Sequence, residues 1–357
     1  MTEPVRCLIR GSINVDEYFQ VKNIVRPGET ISSDGLEKKT GGKGANQAVA
    51  VARAGGIVDL VGAVGEDGVW TRKYLEECGV DVKEVEVVKE PTGRALIQVA
   101  QDGENSIVLF KGANFTVLPK KPSFYPRTTH LLLQNEIPLS ETLAYIHAAA
   151  AADGPNGHRI STTFNPSPMP SDEELKMFPW DKLDWLIVNE GEAEDMYKVL
   201  AGDKAETEVA KAETIRGSDS YAHLSAYPIV LKLSSLIPKT NIICTLGAKG
   251  VLALVPSLQE ESEKGKPHEP IFLPAAKLQG GVAVDTTGAG DTFAGYAVAG
   301  LMKLSERQGG GRELTREDVR EVLRRCVQAA GMCVEKPGAN ESIPYGRDVD
   351  ARLASGL

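Results

Sequence analysis

Asp285-Thr-Thr-Gly288-Ala-Gly290-Asp291-Thr-Phe-Ala-Gly295 opens an apolar run with helical spacing, and the spacing predicts a helix over Ala289–Leu304. Two glycines at a helix start leave backbone N–H groups unblocked, and with the helix dipole these form an anion hole. Asp291 falls in the first turn, beside that hole. A carboxylate so placed can take a proton from a hydroxyl nucleophile while the N–H groups hold the developing charge. Phosphoryl transfer to an alcohol needs this layout. A first-turn acid favoured only by the dipole explains Asp291 equally well when the stretch is taken alone. The dinucleotide fingerprint fails, because Phe293 stands at its third glycine. A Walker A loop fails as well, since Gly42-Lys43 is followed by Gly44 and not by Ser or Thr.

Outward from this stretch, short apolar β-type runs alternate with helical ones. Strands are predicted at Val5–Gly11, Ile57–Val64, His130–Gln134, Ile160–Asn165, Trp185–Asn189, Asn241–Thr245 and Gly250–Leu254. Helices are predicted at Gly44–Ala54, Thr71–Cys78, Leu139–Ala152, Glu190–Leu200 and Thr315–Val334, besides the one already named. That alternation implies right-handed crossovers and a mostly parallel sheet covered on both faces. Segments 15–40 and 93–111 break the rhythm, and Asp102-Gly103 marks a hairpin in the second. They read as a small sheet laid beside the main one. Segments 201–226, 259–270 and 306–314 read as surface insertions in a single domain spanning 1–357.

The 357 residues carry a net charge of −9, with 42% hydrophobic and 25% charged residues. These fractions exclude a disordered or collagenous chain. The acidic balance argues against nucleic acid as a partner. No apolar stretch approaches membrane-spanning length and the amino terminus lacks an apolar signal core, so a soluble, cytoplasmic protein is expected, with nuclear access left open. Five cysteines without a CxxC pair read as free thiols.

Three further clusters sit where strands end or helices begin. Gly41-Gly42-Lys43-Gly44-Ala45-Asn46-Gln47 opens the first long helix, and Asn14 and Asp16 follow the first strand. Their side chains suit vicinal hydroxyls in a crevice, although each alone could be a cap or turn residue. Asn189-Glu190-Gly191-Glu192 follows a strand and offers oxygens to a magnesium nucleotide; a capped helix start explains Asn189 nearly as well. Thr245-Leu246-Gly247-Ala248-Lys249-Gly250 offers backbone N–H groups to phosphates, with a plain hairpin turn as the alternative.

In this order the pieces resemble the ribokinase (PfkB) family of carbohydrate kinases. Gly41 to Asn46, preceded by Arg26-Pro-Gly28-Glu29-Thr30, matches its amino-terminal pattern, and Asp285 to Phe293 matches its carboxy-terminal one. Gly112-Ala-Asn114 and Gly338-Ala-Asn-Glu-Ser342 agree as well. The resemblance implies an α/β three-layer fold, with a mostly parallel central sheet and a small β-sheet lid that pairs two copies into a homodimer. The activity implied is phosphorylation of D-ribose at its 5-hydroxyl by ATP. On that reading Asp291 is the general base, and Gly288, Ala289 and Gly290 form the anion hole. Asn14, Asp16, Gly42, Lys43, Gly44, Ala45, Asn46, Glu136 and Asp291 itself hold the sugar. Asn189, Thr245, Leu246, Gly247, Ala248, Lys249, Gly250 and Gly290 contact ATP. Glu192 supports Mg2+ through water, and Asp285, Thr287, Cys333, Lys336, Gly338 and Ser342 ligate an activating K+. A kinase of fructose, deoxyribose or a nucleoside is the nearest competitor. The polar lid residues Glu17, Gln20, Arg94 and Gln98 favour a small sugar over a nucleoside.

Overall fold

The structure, a computed structural model, describes residues 4–102, 104–152, 159–202, 221, 224–259, 269–308 and 314–356. Most of the three surface insertions, and Gly103 of the hairpin, lie outside these residues. The strands are β1 (Arg6–Arg10), β2 (Asn14–Val21), β3 (Gly35–Gly41), β4 (Ile57–Gly65), β5 (Val85–Val88), β6 (Gly93–Ala100) and β7 (Asn105–Phe110). They continue as β8 (Thr128–Leu133), β9 (Ser161–Phe164), β10 (Trp185–Asn189), β11 (Asn241–Thr245), β12 (Val251–Leu254) and β13 (Ile271–Leu273). The helices are α1 (Lys43–Arg53), α2 (Val69–Glu77), α3 (Leu139–Ala151), α4 (Asp172–Met177), α5 (Glu190–Ala201), α6 (Ala226–Leu236), α7 (Ala289–Gln308), α8 (Arg316–Cys333) and α9 (Gly346–Ser355).

The large sheet runs β13-β12-β11-β10-β9-β8-β1-β4-β5. It is parallel from β11 to β5, and antiparallel only where β12 and β13 return at one edge. Alternation along each strand sets the layers. Cys7 and Ile9 of β1 join a core built with α1, α2, α7, α8 and α9. Leu8, between them, points into a second core built with α3, α4, α5 and α6. Both faces are therefore covered, as expected for a parallel sheet. Among the described residues no helix is long and apolar enough to cross a membrane.

Strand order locates the crevice. After β1 the chain builds β4 and β5 on one side, then returns to place β8 on the other. At such a switch point the loops leaving the carboxyl ends of neighbouring strands part, and ligands bind between them. The lid segments form a separate sheet, β3-β2-β6-β7. Its strand β2 starts four residues after β1 ends, and β3 ends just before α1.

Some elements fell outside the sequence reading. Helix α6 carries Pro228 in its first turn, where the missing N–H has no intrahelical partner to lose. A proline there reads as a breaker, which hides the helix. The short edge strands β5 and β13 are too brief to show a period.

Candidate active site

The carboxyl ends of the parallel strands line up the site in spatial order. Beyond β1 come Ser12, Asn14 and Asp16; beyond β8, Gln134 and Glu136; beyond β9, Asn165. Asn189 ends β10 and Thr245 ends β11. Four inter-strand steps from β1 to β11 span about 19 Å. Helices α1 and α7 both start over this edge.

The start of α1 is pressed onto β1. A Cβ at Gly44 would lie 2.5 Å from Ser12 N and 2.7 Å from Gly11 Cα, so only glycine allows the approach. Gly42, the N-cap, has φ 88°, and a Cβ there would meet Ser12 O at 3.0 Å. With the backbones this close, Ser12 Oγ donates to Glu136 Oε2 (2.5 Å) and accepts from Gly44 N (3.2 Å), while Lys43 N donates to the same Glu136 oxygen (2.9 Å). Glu136 therefore caps the first turn of α1 from the loop beyond β8.

Asp16 projects from β2 against Gly41, where any Cβ would collide with its carboxyl group. It is 7% exposed, and its Oδ1 has no hydrogen-bond partner. Burial first, then the carboxylates of Glu136, Glu341 and Asp291, push its pKa up to about 7. Asn14 Oδ1 accepts from Asn114 Nδ2 (2.7 Å), and Asn114 Oδ1 accepts from Ile13 N (2.8 Å). Ser12 and Asn114 thus belong to the site, although the sequence reading gave neither a role.

Asp291 is 7% exposed at the start of α7. The first intrahelical bond runs from Thr292 N to Gly288 O (2.8 Å), so the N–H groups of Ala289, Gly290 and Asp291 precede that ladder. Ala289 N makes a longer bond to Thr286 O (3.3 Å). A Cβ at Gly290 would meet nothing within 4 Å, which leaves its backbone open to a ligand. Asn46 Nδ2 donates to Asp291 Oδ2 and Gln47 Nε2 to Oδ1, each at 2.9 Å. Burial works against the Lys43 ammonium, but the carboxylates of Asp291, Glu136 and Glu192 outweigh it and raise its pKa. One cation is therefore within electrostatic reach of carboxylates from α7, the loop after β8 and α5.

At the β10 end, Asn189 Oδ1 accepts from Glu192 N (2.8 Å) and Glu192 Oε2 accepts from Asn189 N (2.9 Å), a reciprocal capping box. The capped helix start is thus present, and it fixes the Glu192 carboxylate beside the crevice. In the β11–β12 turn, Leu246, Lys249 and Gly250 use their N–H groups to close the turn. The exposed Gly247 and Ala248 are the members positioned to offer theirs to a phosphate.

Beside α7, Asp285 accepts from Thr287 N (2.9 Å) and Gly338 N (2.8 Å). Burial raises its pKa, but those hydrogen bonds from Thr287 and Gly338 prevail and hold it below the usual carboxylate range. The Cys333 thiol lies 3.0 Å from Ser342 Oγ, which donates to Ala339 O (2.9 Å). Lys336 is exposed, so only its backbone carbonyl could turn toward this cluster. The donors are mainly oxygens, as a hard monovalent cation requires.

Three of the polar lid residues have partners in the structure. Glu17 pairs with Arg94 and with Lys38 (3.1 Å), and Arg94 also pairs with Asp67. Successive strand residues face opposite ways, so Glu17 lies across the lid from Asp16. Gln98 Oε1 accepts from Val25 N (3.0 Å). These contacts join the lid strands to one another and to the turn after β4 that carries Asp67.

The buried, unsatisfied Asp16 yields a pH-dependent expectation. Its folded pKa lies above the unfolded value, so the empty protein loses stability as pH rises from about 4 through 7. Asp16→Asn removes that penalty. Its melting temperature should exceed wild type at pH 8, by an equivalent of up to about 4 kcal/mol, and approach wild type near pH 4. Thermal unfolding at the two pH values checks this, and an equal shift at both would contradict it.

Residues 6–345 match the family model described as pfkB family carbohydrate kinase. The ribokinase of Haemophilus influenzae is 33% identical over 343 residues, covering 94% of each chain. The crystal structure of ribokinase from Cryptococcus neoformans in complex with ADP is 48% identical, covers 98% of this chain and all of its own, and has a TM-score of 0.77. The structure of Arabidopsis thaliana ribokinase complexed with ribose and ATP is 27% identical, covers 98% and 99%, and has a TM-score of 0.71.

Proposed function

From the premise that the chain belongs to the pfkB family of carbohydrate kinases, we propose that it transfers the γ-phosphate of ATP to the 5-hydroxyl of D-ribose. The observation that carries the sugar assignment is Asp16, a buried carboxylate with an open oxygen beside Asp291. Paired sugar hydroxyls donate to such a group and favour its charged form. Asn14, Lys43, Asn46 and Glu136 surround the same space. ATP lies along the β10 and β11 ends against Asn189, Thr245 and the Gly247–Lys249 turn. Its γ-phosphate points at the start of α7, between the nucleotide and the sugar.

In the transfer, Asp291 takes the proton of the sugar hydroxyl as its oxygen attacks phosphorus. The N–H groups of Gly290 and its neighbours, with Lys43, stabilise charge on the transferring phosphoryl. Magnesium would enter with the nucleotide phosphates, and Glu192, fixed by its capping box, would support it through water. Potassium would be held by Asp285, Ser342 and backbone carbonyls of Thr287, Gly338, Cys333 and Lys336, and would supply fixed positive charge beside α7. Edge strand β7 exposes Ile107, Val108, Leu109 and Phe110, an apolar row that suits pairing of two lids in a homodimer.

ATP consumption over a panel of pentoses, hexoses and nucleosides, with and without potassium, tests the assignment. Ribose should be turned over fastest, with potassium raising the rate. Faster turnover of fructose or adenosine overturns the substrate, and potassium independence removes the cation site alone.

A further inference from the structure

We propose that Gln47 is a positioning residue for the Asp291 carboxylate, locking one of its oxygens while Asn46 acts as the exchangeable partner of the other; this rests on Asp291 being the base. Gln47 is fully buried and sits at the centre of a continuous amide chain. Asn165 Nδ2 donates to Ile187 O (2.9 Å), and a backbone carbonyl can only accept. Asn165 must then turn its Oδ1 toward Gln47, whose Nε2 lies 3.3 Å away. Gln47 Nε2 also reaches Asp291 Oδ1 (2.9 Å), and an ionised carboxylate likewise only accepts. From the other side Gln134 Nε2 donates to Gln47 Oε1 (2.6 Å). Acceptors at both ends leave one orientation for the Gln47 amide, with both N–H groups and its oxygen used.

Asn46 stands in contrast. It donates to Asp291 Oδ2 (2.9 Å), yet its own Oδ1 is buried without a hydrogen-bond partner. A polar atom left in that state gains from any donor that arrives. A sugar hydroxyl can engage Asn46 and take its place at Asp291 Oδ2, while Gln47 keeps Oδ1 fixed. Backbone packing holds the arrangement in register. A Cβ at Gly295, one turn beyond Asp291 on α7, would meet Ala50 Cβ at 2.4 Å and Gln47 O at 2.7 Å. The base and the helix that opens with the sugar-binding glycines therefore touch without a spacer. A carboxylate displaced by even 1 Å can lose about 10²-fold in rate, which is the scale a positioning residue protects.

Gln47→Met keeps volume but removes both donors. Its kcat should fall about 10-fold or more, with the ribose KM within about 3-fold of wild type. Unchanged kcat overturns the proposal, as does a loss confined to KM. In an Asp291→Asn background the same substitution should change the residual rate less than about 3-fold, because groups acting as a unit are not additive. A full additive loss there overturns the positioning role while leaving Asp291 as the base; near-normal turnover in Asp291→Asn alone sinks both. Gln47→Glu covers the case in which methionine does not fold. It should be impaired at pH 8 and recover relative to wild type as pH falls and the introduced carboxyl group regains a proton to donate. Asp16, Lys43 and Cys333, which face the same carboxylate, are common to both enzymes, so the rate ratio isolates position 47. A ratio flat with pH overturns the proposal.

Discussion

Asp291→Asn is expected to lower turnover by about 10²-fold or more, the scale of losing a general base, while ribose still binds. The substitution preserves shape. Asn46 Nδ2 and Gln47 Nε2 now donate to both Asp291 oxygens at 2.9 Å, and an amide can satisfy one of them. The other donor would face an N–H, which rules out a fully neutral replacement and adds to the kinetic loss. The proposed sugar contacts of Asp16, Asn14 and the α1 turn are left unchanged by the substitution. Calorimetric titration with ribose, paired with steady-state kinetics, separates the two effects. Turnover within about 3-fold of wild type would show that another group removes the proton.

Gly44→Ala should have the largest combined effect on stability and activity. The added methyl would meet Ser12 N at 2.5 Å and Gly11 carbon atoms at 2.6 and 2.7 Å, all of them backbone. No side chain can swing aside, so α1 must lift off β1. Overpacking of this kind destabilises by about 1–3 kcal/mol or more. The Ser12–Glu136–Lys43 bonds part with it, which should lower kcat/KM for ribose by about 10²-fold, as for a misplaced binding group. Gly280→Ala, where a Cβ meets nothing within 4 Å, is the control and should stay within about 0.5 kcal/mol of wild type. If Gly44→Ala matches that control, the close approach of α1 and β1 does not hold in solution.

Much of the architecture was legible because the governing signals are local. Apolar runs such as 131–133 and 242–244 mark strands buried on both faces, and the glycines of 41–44 and 288–290 mark helix starts. Asp291 was singled out by its place beside the second glycine pair and Asp16 by its place after the first strand, and the fold buries both at the carboxyl edge of the sheet. What sequence could not carry is partnership across long separations. Glu17 and Arg94 look like pocket residues until the fold brings them, 77 positions apart, into an ion pair. Gln47, Gln134 and Asn165 are individually unremarkable polar residues, and only the switch in strand order places them end to end. Helix α6 was hidden for a different reason, a first-turn proline that mimics a boundary.

The lid joins the main domain at four chain crossings, and each falls beside a site residue: Ile13 to Asn14, Gly41 to Gly42, Thr92 to Gly93, and Phe110 to Gly112. Asn114 and Asn14 are bonded across two of them. With ribose bound as proposed, the sugar would sit at the hinge itself and not at the tip of a flap. Any rotation of the lid would then act as a lever with its fulcrum at these crossings, while Asp291, on α7, belongs to the main domain. Tilting the lid would change the grip on the acceptor more than the placement of the proposed base, and a load applied at the β7 edge would reach that grip through the same crossings.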